Sequence, residues 1–106
     1  MKNNIYTLKL TLKAEKDLDD IYQYITTKLF AGIAAQNLLI RIENEIMLVK
    51  EFPHSCSLVR DNALRKKGYR KLIVDNFIAF YLINEDKKQV IIMRVLYGAS
   101  NYTNIL

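Results

Sequence analysis

The apolar pattern passes from helical to strand-like spacing at Gly68, and that change limits what the chain can fold into. Upstream, Ala14, Leu18, Ile21, Tyr22, Ile25 and Leu29 recur at steps of three and four, as do Ala35, Leu38, Leu39, Ile42, Ile46 and Val49. Such spacing puts each set on one face of a helix. Downstream, the segments 69 to 74, 77 to 83 and 90 to 97 are rich in β-branched and aromatic residues, which suits strands. A period of two over Ile5 to Leu10 predicts a further, opening strand.

The residues between these runs set the boundaries. Thr11 is a candidate N-cap, and Glu15, Asp17, Asp19 and Asp20 suit the positive end of the helix that follows, running to about Leu29. Gly32 breaks the pattern, and a second helix is predicted from about Ile33 to Lys50, close enough to form an antiparallel hairpin. Pro53 removes a donor and restricts Phe52, so that helix stops there and His54 to Ser57 open one long connection. Asp75-Asn76 and Asn84 to Lys88 are short turns, which makes the last three strands an antiparallel meander. The expectation is one α+β domain over residues 1–106, its helix hairpin packed on a four-stranded, mainly antiparallel sheet.

Charge is concentrated. The segment 60 to 71 carries Arg60, Arg65, Lys66, Lys67, Arg70 and Lys71 against Asp61, which equals the whole net charge of +5. A polyanion or an acidic protein partner is the expected target. No apolar run approaches the roughly 18 residues of a membrane span, and the start MKNNIYTLKL lacks a signal-peptide pattern, so a cytoplasmic protein without a membrane partner is expected. The lone Cys56 agrees with a reducing compartment.

With one histidine, one cysteine, no HExxH and no Gly-rich phosphate loop, neither a metal nor another cofactor is expected. His54 reads as a loop residue and Cys56 as a small packing residue. Tyr69, Tyr81, Tyr97 and Tyr102 lie close in sequence to the basic segment, where aromatic rings beside Arg and Lys can stack bases, although tyrosine is also an ordinary strand residue. Arg94 sits among Ile91, Ile92, Met93, Val95 and Leu96 and must reach solvent or find a partner; a sheet face shared with Arg70 would join the two in a groove.

Several blocks, in order, resemble the RelE/ParE superfamily of toxins from bacterial type II toxin–antitoxin modules. They are Ala14, Asp17-Leu18, Ile21 and Tyr24-Ile25 on the first helix, then FPHS (52–55), LRKKGYRKLIV (64–74), FIAFYLI (77–83) and RVLYGASNYTNIL (94–106). The resemblance spans nearly the whole chain. It implies a growth-inhibiting toxin held in a hetero-oligomer by a cognate antitoxin whose acidic or amphipathic segment covers the basic face. It also implies two classes of target. As a ribosome-dependent mRNA endoribonuclease, the chain would use Arg70, Lys71, Arg94 and Tyr102 in catalysis and Arg60, Arg65, Lys66, Lys67, Tyr69 and Tyr81 to bind nucleic acid; the concentration of Arg and Lys beside tyrosines favours this branch. The alternative is a non-enzymatic inhibitor of DNA gyrase. Leu72, Ile78 and Ser100 stand where basic residues are frequent in the nuclease branch, which admits a third expectation, a weakened toxin retained for antitoxin binding.

Overall fold

The computed structural model describes residues 5–98 and 106. The chain runs β1 (Thr7–Leu10), α1 (Leu12–Gln23, continuing into a π-helical turn Tyr24–Lys28), α2 (Gly32–Glu51), α3 (Asn62–Lys66), β2 (Arg70–Val74), β3 (Phe77–Asn84) and β4 (Gln89–Tyr97). Thr11 caps α1 as expected: its hydroxyl accepts from the Ala14 N–H at 3.0 Å and donates to the Met93 carbonyl at 2.8 Å. One side chain thereby starts the helix and ties it to β4.

The sheet order is β1-β4-β3-β2. The meander is antiparallel, with Val74 opposite Phe77 across the first turn and Asn84 opposite Gln89 across the second. β1 lies parallel to β4, pairing Thr7 with Gln89 and Leu10 with Ile92. A register shift gives Phe80 opposite Arg94 but Tyr81 opposite Ile92, so Met93 is left over as a β-bulge.

Helices cover one face of this sheet. Ala14, Leu38, Ile42, Ile46 and Val49 pack there on Leu72, Val74, Ala79, Tyr81, Val90, Ile92 and Val95. The two-layer expectation is incomplete, because the alternate side chains of the strands build a second cluster on the opposite face. There Phe80, Val59, Leu64 and Tyr69 are buried, with Ile78, Leu82, Met93, Leu96 and Leu106 around them. The long connection supplies this cover through α3, a helix too short for periodicity to reveal. Asp61 caps it by accepting from the Leu64 N–H at 3.0 Å, and Gly68, at φ +94°, takes the left-handed conformation that ends it and turns the chain into β2.

Candidate functional site

Leu64 points inward and is 4% exposed, which turns Arg60, Arg65, Lys66 and Lys67 outward on and beside α3. Four cations therefore share one short, anchored stretch of surface. Arg70, where β2 begins, is half-buried, and its Nη1 donates to the Cys56 carbonyl at 2.6 Å. Lys71 is also half-buried, and its backbone N–H donates to the Ser57 carbonyl at 3.1 Å.

Lys67 and Arg70 line a concavity of about 520 Å³ together with Gly68, His54, Glu85 and Asp86. Its charge is mixed rather than cationic. Glu85 holds the group together: it pairs with His54 Nε2 at 2.8 Å, accepts from the Tyr6 hydroxyl at 2.7 Å and lies 3.6 Å from Lys88 Nζ, which also sits over the Tyr6 ring. The Tyr6 hydroxyl first, and His54 and Lys88 after it, hold the Glu85 carboxyl below the usual carboxylate range. His54 is thus more than a loop residue, since it ties the end of α2 to the β3–β4 turn. Cys56 packs against the main core as expected.

Arg94 lies elsewhere. The residue that follows the bulge reaches α1, where Arg94 Nε and Nη2 donate to the two Asp17 carboxylate oxygens at 2.7 and 2.8 Å, and the Val95 N–H donates to the same carboxylate at 2.9 Å. The side chains are only 19% and 10% exposed, and the Asp17 carboxylate holds the Arg94 guanidinium above its ordinary range. The expectation that Arg70 and Arg94 meet in one groove is corrected: Arg94 is consumed in a structural fork-to-fork pair. Asp17 is corrected with it. Rather than merely complementing a helix dipole, it takes the place of a strand neighbour for β4 beyond the end of β1.

Two tyrosines expected to stack bases are also in the interior. Tyr69 is 7% exposed and Tyr81 fully buried, with the Tyr81 hydroxyl donating to the Pro53 carbonyl at 2.8 Å. Burial pushes that phenol well above its ordinary range, so it is neutral at any physiological pH. Neither ring is presented to a nucleic acid. Tyr102 and Ser100 lie outside the described residues. Among the described residues no group of His, Cys, Asp and Glu is placed to hold a metal ion.

Sequence reasoning missed a second concavity, an apolar groove of about 800 Å³ between the helix hairpin and the end of the sheet. Ile21, Tyr24, Ile25 and Leu29 form one wall and Phe77 and Tyr97, stacked edge-on with ring centres 5.8 Å apart, another. Arg41, paired with Asp75, and Asp20 stand among the lining residues. The signal was present: Tyr24, Leu29 and Tyr97 are large, apolar and more than half exposed. Clustered exposed apolar groups mark binding surfaces.

Among solved structures, the chain resembles one described as the chromosomal ParDE toxin–antitoxin system from P. aeruginosa, at 21% identity and a TM-score of 0.73, over 90% of this chain and 98% of that one. It also resembles the toxin–antitoxin complex RelBE2 from Mycobacterium tuberculosis, at 18% identity and a TM-score of 0.59, over 87% and 96% of the two chains. These likenesses establish the fold. Comparison with curated proteins gives no significant match. The family model described as ParE toxin of type II toxin–antitoxin system, parDE, matches residues 8–102, and with nearly the whole fold inside that match the chain belongs to the ParE toxin family.

Proposed function

We propose that this toxin arrests growth by occupying a protein target, DNA gyrase, rather than by cleaving messenger RNA, and that a cognate antitoxin neutralises it in the bacterial cytoplasm. One observation carries the choice. Arg94, one of the cations the nuclease branch would need free, is engaged along the Nε–Nη2 edge of its guanidinium by both carboxylate oxygens of Asp17. The burial of Tyr69 and Tyr81 supports the same choice, since RNA recognition relies on stacking against exposed rings. Within the described part of the nuclease set, Arg70 and Lys71 remain, and an arginine and a lysine serve better as anion ligands than as a general base.

Antitoxin binding is supported by two features of opposite character, the apolar groove beside the hairpin and the cationic α3 on the other face of the sheet. An amphipathic segment with an acidic flank satisfies both. The same basic surface is the reason to keep the nuclease alternative in the test, because Arg and Lys also bind RNA phosphates. The chain is induced without its antitoxin, and replication, translation and transcript 5′ ends are followed separately. Early replication arrest with unchanged 5′ ends is expected. New ends at ribosome-occupied codons before any loss of replication would replace the proposal with the nuclease.

A further inference from the structure

We infer that the face of α2 turned away from the sheet is a self-association surface, on which a second copy of this chain docks as an antiparallel helix pair. Ile33, Ile40 and Met47 recur every seven residues and are 78, 52 and 48% exposed. With 3.6 residues per turn they lie opposite the buried stripe of Leu38, Ile42 and Ile46. A surface helix ordinarily carries polar side chains there. Here Asn37 and Asn44 fall between the apolar positions, in the alternation of a helix–helix seam whose asparagines fix register.

The seam is complementary to itself. About a twofold axis at Ile40, Ile33 of one copy meets Met47 of the other, Asn37 meets Asn44 so that their amides can donate to each other, and Gln36 lies across from Glu43. Parallel alignment would instead set Glu51 against its own copy, which selects the antiparallel arrangement. Phe30, Leu48 and Phe52 flank the stripe at 90, 53 and 65% exposure. Together these six apolar residues expose on the order of 800 Å² per copy, the size of one side of a standard stable interface. The apolar groove borders this same flank of α2, at Ala34 and Arg41, so a docked copy stands at the groove's edge.

The test uses the full chain carrying Cys56→Ser and single cysteines. Under mild oxidation Ile40→Cys is expected to cross-link to itself, whereas Ile33→Cys cross-links only when mixed with Met47→Cys. In sedimentation the Cys56→Ser chain is expected to form a dimer that Ile40→Asp weakens at least ~30-fold, the change expected of a central anchor. At concentrations where both chains are monomeric its melting temperature should stay the same, because Ile40 is half exposed in one copy. A monomer at every concentration, a dimer indifferent to Ile40→Asp, or self-cross-linking of Ile33→Cys would overturn the inference. So would protection of Ile40→Cys by a co-expressed antitoxin when the bare chain does not cross-link, which would give the face to that partner.

Discussion

Replacing Asp17 by asparagine isolates the charge of the Asp17–Arg94 pair while keeping its shape. The variant retains an acceptor for the Val95 N–H, 2.9 Å away in the parent, but leaves the Arg94 guanidinium facing a neutral amide at a side-chain exposure of 19%. Removing one partner of a buried pair costs ~3–5 kcal/mol, and the partial exposure of Arg94 lowers this to ~2–3 kcal/mol. Asp17→Ala also strands the Val95 N–H, for a further ~1–2 kcal/mol. In a domain of this size each kcal/mol shifts the melting temperature by roughly 4 °C, so Asp17→Asn should melt ~10 °C lower. The second arm is the double variant Asp17→Asn with Arg94→Met, which removes the stranded charge and should recover most of the loss. Urea unfolding at constant m-value measures all four chains. The reasoning fails if Asp17→Asn and Asp17→Ala both lie within ~0.5 kcal/mol of the parent, a change typical of an exposed pair.

Two further changes probe the two faces of the sheet. Leu64→Ala should cost ~2–4 kcal/mol by leaving a cavity under α3, and amide exchange should show α3 opening while the helix hairpin stays protected; equal exposure of both would refute its role as a local anchor. Tyr81→Phe bears on alkaline unfolding: the raised phenol pKa means that the protonated group's contribution is complete below pH about 10 and is lost as the pH climbs from there towards the folded value. The parent should therefore lose stability more steeply than Tyr81→Phe above pH about 10, and parallel stability curves would contradict the buried, hydrogen-bonded phenol.

The elements that came through from the sequence were those long enough to show a period. The hairpin and the three-strand meander lie within a residue or two of their expected ends, and Thr11 caps α1 as its side chain suggested. What did not come through depends on register or on distance along the chain. The Met93 bulge exists only once β3 and β4 are aligned, and without it Arg94 reads as one more strand residue. Asp17 and Arg94 are 77 residues apart, so helix position alone assigned the carboxylate a local task. The helix α3 has five residues, yet Asp61 and Gly68 at its ends carried its cap and stop signals. On α2 the buried stripe was plain, while Ile33, Ile40 and Met47 on the opposite side were left without a role.

The placement of α3 turns the domain into an oriented electrical object. Four of the six cations in the segment that carries the net charge are pinned by Leu64 at one site, whereas the first fifty-three residues balance. Approaching a negative surface, such a body experiences a torque before it experiences contact, and it rotates with that helix leading. Fewer collisions are then wasted on the wrong side. Added salt should accordingly slow capture of an anionic partner much more than it hastens release.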